Sequence, residues 1–242
     1  MRIDILTLFP QMFAGLLDYS IIRRARERQL VDVRLCDIRA YANDKHHVVD
    51  DYPYGGGAGM VLKPEPIFEA VEAIKEELGL SSVPTVLLSP QGRFFNQEVA
   101  RQLAGYQQLI LICGRYEGVD ERVSAYLAND EISIGDYLLS GGEVATMVML
   151  DSIVRLLPGA IGSETSLIEE SHANGLLEYP QYTRPAVYRD WEVPSVLLSG
   201  NHSQIARWRR QQSLLRTAKR RPDLLEKAVL SEEDKKLMSE IL

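Results

Sequence analysis

Strand-like and helix-like periods of apolar and polar positions alternate through the first two thirds of the chain, and the helical period prevails beyond it. "RIDILTL" (2–8) opens as a strand, and "VDVRLCDI" (31–38) alternates and predicts a second. "PIFEAVEAIKEELG" (66–79) places Ile67, Ala70, Val71, Ile74 and Leu78 on one helical face, with Gly79 as the stop. "PTVLLS" (84–89) reads as a short strand. "NQEVARQLAGY" (96–106) reads as a helix capped by Asn96. "QLILIC" (108–113) is a further strand, "VDERVSAYLA" (119–128) a helix and "EISI" (131–134) a strand. "GEVATMVMLDSIVRLL" (142–157) is apolar on most sides and predicts a buried helix. Strands that alternate with helices imply βαβ units, so the expected class is α/β with a mainly parallel sheet.

The pattern then dissolves. "PGAIGSETSLIEESHANG" (158–175) fits neither period and reads as a flexible connector. Helical text returns over 201–217, 222–229 and 231–242, where Ser231 and Asp234 form a capping-box-like start. The expected organisation is a body over 1–158, a linker over 159–175 and a small C-terminal all-helical domain over 176–242.

Charge sharpens this division. The chain carries a net −7, yet "NHSQIARWRRQQSLLRTAKRRP" (201–222) holds seven cations and no acid, so this +7 leaves −14 for the remainder. A solvated helix face is the plain reading. Seven cations without interleaved acids repel one another, which favours a polyanion partner. Trp208 shares a face with Ile205 and is expected in the core. The two cysteines, Cys36 and Cys113, are far apart and form no CxxC pair, which points to free thiols in a reducing compartment. No apolar run approaches the ~18 residues of a membrane span, and the expected location is cytoplasmic.

Several signatures fail. "YGGGAGM" (54–60) lacks the third glycine of a dinucleotide fingerprint and the strand before it, and reads as a tight loop where backbone approaches something closely. "KHH" (45–47) has no cysteine nearby and is a weak metal signal, so no metal site is assigned. What remains is three glycine turns, each after an expected strand: "LLSPQGR" (87–93), "CGRYEGVDERV" (113–123) and "SIGDYLLSGGE" (133–143). In an open sheet such turns gather at the carboxyl edge. Few cations sit in the third, so the turns suit a flat, weakly charged ligand such as an adenosine better than a triphosphate.

These turns, with "DKHH…DDYPYGGGAGM", "GLLEYPQYTRP" and "VLLSGNHSQIARWRRQQSLLRT", resemble in the same order the TrmD family, bacterial tRNA (guanine-N1)-methyltransferases of the SPOUT superfamily. The resemblance implies a deep trefoil knot that holds S-adenosylmethionine. Gly114 and the run Ile134, Gly135, Asp136, Tyr137, Leu138 and Leu139 would form its binding loop, with Ser89, Pro90, Tyr116, Glu117, Gly141 and Gly142 beside it. It further implies a homodimer with shared active sites, dependence on Mg²⁺, and methylation of the guanosine at tRNA position 37. Asp50, Lys45, His46, Arg184, His202, Arg207, Arg209 and Arg210 would contact the tRNA. Where the family has Asp-Ser-Phe before "GLL", this chain has Glu170-Ser171-His172. Glu170 is therefore the expected general base, with Glu169 as a stand-in, and Arg155 the expected stabiliser of charge on guanine O6. The exchange of Asp for Glu leaves a second expectation, a non-catalytic or differently targeted RNA-binding protein on the same scaffold.

Overall fold

The computed structural model describes residues 1–162 and 170–241. Glu169, the expected stand-in for Glu170, lies outside them. The chain forms two compact units, Met1–Gly162 and Ser163–Leu242.

The first unit is built on a five-stranded sheet in which every pairing is parallel. Its strands are β1 (Arg2–Thr7), β2 (Asp32–Asp37), β5 (Thr85–Phe94), β6 (Gln108–Cys113) and β7 (Asp130–Ser133), in the order β2-β1-β6-β5-β7. Two-residue strands β3 (Asp50–Asp51) and β4 (Val61–Leu62) pair antiparallel apart from it. The helices are a single turn, α1 (Ala14–Leu17), then α2 (Ser20–Glu27), α3 (Pro64–Leu78), α4 (Gln97–Ala104), α5 (Glu121–Tyr126) and α6 (Gly142–Val154).

Side chains alternate across the sheet because successive strand residues face opposite ways. Ile3, Ile5, Val86, Leu88, Leu109, Leu111 and Cys113 join the core that α2, α4 and α6 cover. Leu6, Leu87, Ile110 and Ile112 join the opposite core, under α3 and α5. The near-continuous apolar reading of "LILIC" follows from this burial on both faces. Asn96 caps α4 by accepting the Val99 N–H at 3.0 Å, and α3 stops at Gly79 in the left-handed region, φ 65°.

Two expectations need correction here. The strand expected over 84–89 runs on to Phe94. Leu88 and Arg93 both stand opposite Ile132, so Ser89–Gly92 form an excursion within one strand. The chain resumes because Gly92 has no side chain: a Cβ there would lie 2.4 Å from the Glu131 carbonyl carbon. Helix α6 is not buried all round either, since Val144 and Val148 point outward.

The second unit contains a hairpin, β8 (Val187–Tyr188) and β9 (Trp191–Glu192), then a single turn α7 (Ser195–Leu198), and α8 (His202–Arg220), α9 (Pro222–Lys227) and α10 (Glu232–Ile241). The hairpin departs from an all-helical reading. Its turn residues Arg189 and Asp190 both have positive φ, which a two-residue hairpin of this hand requires. Leu176, Leu214 and Leu237 make a small core. The capping box at α10 forms reciprocally: Ser231 N–H donates to Asp234 Oδ2 at 3.0 Å and Asp234 N–H to Ser231 Oγ at 3.1 Å.

Candidate functional site

The carboxyl edge of the sheet gathers the glycine turns around a cavity of about 340 Å³. Its first wall is Ser89, Pro90 and Gln91, the excursion of β5. Its second is Gly114–Val119, which leaves β6, and its third is Ser133, Ile134, Tyr137, Leu138 and Leu139, which leave β7. Gly141, Gly142 and Ala145 close it at the start of α6. The volume lies in the ~300–1,000 Å³ range of small-molecule sites.

Main chain fixes these walls. Gly142 N–H donates to the Gly114 carbonyl at 2.8 Å, and Arg115 bridges Gly141 antiparallel. Strand β4 holds the second wall from outside. Glu117 N–H donates to the Met60 carbonyl at 3.0 Å, and Leu62 N–H donates to the Gly118 carbonyl at 3.0 Å. At Gly59 a Cβ would meet the Glu117 side chain at 2.4 Å. The close approach expected of the 54–60 loop thus occurs at Gly59; Gly55 and Gly56 have open space around them and positive φ instead.

Of the residues expected to bind a cofactor, all but Gly135 and Asp136 line this cavity. Gly135 serves from behind. The Tyr137 ring occupies the space a Cβ would take, and the Tyr137 hydroxyl donates back to the Ile134 carbonyl at 3.1 Å. Sequence reasoning missed Arg115, Glu121, Ser124 and Glu131, which also line it. Arg115 stood inside a quoted motif, whereas Glu131 was read only as the first residue of a short strand, which carries no sign of a ligand. One guanidinium and three carboxylates (Glu117, Glu121 and Glu131) border the cavity, an excess of negative charge. Cys113 lies beneath it, fully buried, and burial pushes its thiol up to about 12. Both cysteines are free thiols.

The remaining expected residues of this unit are dispersed. Arg155 is the half-buried residue that ends α6. Asp50 is half-buried on β3, opposite Leu62. Lys45 and His46 are exposed, and the His46 N–H donates to Asp44 at 2.8 Å.

In the second unit, Glu170 is half-buried and lines a cavity of about 230 Å³ with Asn174, Leu177, Tyr179, Arg209, Arg210 and Ser213. The chain just after it is docked on α8. Leu177 N–H donates to Thr217 Oγ1 at 2.9 Å, and its carbonyl accepts from Ser213 Oγ at 2.5 Å.

The cationic stretch is less bare than its sequence suggested. Arg210 makes two bonds to Asp234, at 2.6 and 2.8 Å, and Arg209 lies over the Tyr179 ring at 4.8 Å. Arg221 pairs with Asp223. The acids come from outside the window read, so the argument from missing partners holds only locally. Arg207, Arg184 and His202 are exposed. Trp208 is half-buried, 6.4 Å from the Tyr182 ring, between core and surface.

No group of three or more His, Cys, Asp or Glu side chains that could hold a metal ion occurs among the described residues. No helix among them is long and apolar enough to cross a membrane.

The sequence model of a family described as "tRNA (Guanine-1)-methyltransferase TrmD" matches residues 1–227. The chain is 60% identical over 242 residues to a tRNA (guanine-N(1)-)-methyltransferase of Dehalococcoides mccartyi, covering all of this chain and 97% of that one. It is 57% identical over 240 residues to the protein of that name from Geobacillus kaustophilus, covering 99% and 98%. The corresponding protein of Halalkalibacterium halodurans is 56% identical over 242 residues, covering 100% and 98%.

Proposed function

This chain belongs to the TrmD family of tRNA (guanine-1)-methyltransferases, and from that premise we propose that it methylates N1 of the guanosine at tRNA position 37. The methyl donor is S-adenosylmethionine, held in the cavity at the carboxyl edge of the sheet. The carrying observation is that cavity's construction: three glycine turns from β5, β6 and β7 converge on one space of suitable volume. Its walls offer main-chain N–H and C=O groups and apolar side chains, which suit an adenine and ribose. Its excess of carboxylates suits a ligand with a cationic sulfur. Gly142 fits the same reading, because a Cβ there would meet the backbone that shapes the floor.

When bound, S-adenosylmethionine supplies a methyl group on a positively charged sulfur. The chain's own residues must prepare the nucleophile. Guanine N1 carries a proton at neutral pH, and a carboxylate within reach can accept it. Glu170 takes that role, at the place of the family's Asp. As the proton leaves, negative charge builds on O6, and the Arg155 guanidinium, cationic at any working pH, stabilises it. An ordinary Glu titrates near ~4.3, and burial against docked tRNA would raise it toward the useful range.

The exposed cations of α8, Arg207 foremost, meet phosphates and position the tRNA without reading its sequence. Asp50, Lys45, His46, Arg184 and His202 complete the tRNA contacts. The outward Val144 and Val148 of α6 support a homodimer, in which apolar positions exposed on one chain are covered by a second copy. The trefoil knot would lie where the 134–141 segment meets the 114–119 turn, and the Gly142–Gly114 bond sets the two side by side. The described residues offer no cage for Mg²⁺, so no step is assigned to it. A substrate of this class implies work in the cytoplasm.

The test is transfer of labelled methyl groups to tRNA transcripts with G or A at position 37. Label in the G transcript alone is the expected result. Binding of both transcripts without label would instead support a non-catalytic RNA-binding role.

A further inference from the structure

Glu143 is the second residue of α6 and has no exposed surface. It does not line the cavity, and neither does Thr7, the last residue of β1. The two are joined: Thr7 Oγ1 donates to Glu143 Oε1 at 2.9 Å. The other carboxylate oxygen accepts from Arg115 Nε at 2.9 Å. Arg115 does line the cavity, and the rest of its guanidinium is engaged as well. Its Nη1 donates to the Ser140 carbonyl at 3.1 Å, and its Cζ lies 4.4 Å from the centre of the Phe9 ring. Thr7 Oγ1 accepts the Phe9 N–H at 3.0 Å, which leaves its own proton directed at Glu143.

A buried carboxylate is costly to desolvate, and a buried ion pair is weak evidence for stability, since apolar side chains of similar size often do as well. Its better use is to fix a geometry. Here the fixed geometry is that of two cavity walls. Arg115 belongs to the second wall and, through the Ser140 carbonyl, holds the segment that follows the third. A lysine could not grip the carboxylate in plane, bond the carbonyl and lie flat on an aromatic ring together.

We propose that Thr7, Glu143 and Arg115 form a positioning relay. It runs from the central sheet to the cavity and sets the ligand-ready arrangement of the 114–119 and 134–141 walls before the methyl donor arrives. Preorganisation of this kind raises affinity by removing the ordering cost at binding. The inference rests on reading the cavity as the S-adenosylmethionine site.

Calorimetric titration of S-adenosylmethionine into the full chain tests it, alongside melting curves and KM for tRNA. Thr7→Val keeps the branched shape and removes the hydroxyl, and weakens donor binding about tenfold, the scale of one hydrogen bond to a charged group. KM for tRNA stays within about twofold, because Thr7 is fully buried and out of reach of an RNA, and Thr7→Ser restores donor affinity. Glu143→Gln and Arg115→Lys weaken the donor in the same direction. Wild-type donor affinity in whichever of these variants remain folded, with only the melting point lowered, overturns the relay. Unsubstituted protein without affinity for the donor is a different result, and overturns the reading of the cavity itself.

Discussion

Gly142 stands so close to Cys113 that a Cβ on the former would fall 2.8 Å from the Cα of the latter. The turn that enters α6 is thus stacked, main chain on main chain, against the turn that leaves β6. Such contact leaves no flexible side chain to yield, so any added atom must move a wall of the cavity.

Gly142→Ala is therefore expected to lower stability by about 1–3 kcal/mol, the range for overpacking, and to weaken binding of the methyl donor more than binding of tRNA. Thermal melting and donor titration measure both. An alanine variant with unchanged donor affinity would show that the floor of the cavity tolerates displacement.

Replacement of the proposed base separates chemistry from binding. Glu170→Gln should lower the single-turnover rate by about 10²–10⁴, the usual worth of general-base catalysis, with KM for both substrates changed only a few-fold. Glu170→Asp, one methylene shorter, should retain a measurable part of the rate. Turnover by Glu170→Gln at the parental rate would remove Glu170 from the mechanism.

Binding of tRNA should weaken steeply with salt, as phosphate contacts release counterions. Arg207→Ala should raise the Kd for tRNA and reduce the slope of log K against log salt by about 1. The effect should be the same for transcripts with G or A at position 37. An unchanged slope would place the phosphates elsewhere.

The second unit should lose stability in acid. Its core is small, and the Arg210 guanidinium, helped by the Ser231 N–H, holds the Asp234 carboxyl well below the usual carboxylate range. A carboxyl depressed on folding stabilises fully above its unfolded value of ~3.9, and that contribution is lost as pH falls toward the folded value. Asp234→Ala removes the ion pair and the bond that Ser231 N–H makes to the Asp234 carboxylate, one half of the α10 capping box, at a cost of about 1–2 kcal/mol near pH 7. Both tryptophans, Trp191 and Trp208, lie in this unit, so their fluorescence during urea unfolding reports on it selectively. The gap between the two proteins should narrow at pH 3; a gap that stays constant would mean that ionisation of Asp234 contributes nothing.

Much of this was legible in the sequence where one side chain answers to one local rule. Asn96 and the Ser231–Asp234 pair announced their helices, and "LILIC" its buried strand. Helix α2 was not read from the sequence although "SIIRRARE" sets Ile22 and Ala25 on a buried face against arginines; its eight residues begin at the positive-φ Ser20 with no capping side chain to announce them. The hairpin turn was hidden because Arg189 and Asp190 hold the conformation that Asn-Gly usually signals. The partner of Arg210 was 24 residues away, and the partner of Thr7 was 136 away. No window over the sequence joins such pairs; only the folded chain does.

The excursion of β5 has a consequence for traffic. Because the strand meets Ile132 both before leaving the sheet and after returning, Ser89–Gly92 are anchored at each end. Any movement of this wall is therefore confined to the four residues between the two pairings. On the reading proposed above, the bound donor meets water where Tyr137 and Leu138 stand exposed on the wall that leaves β7.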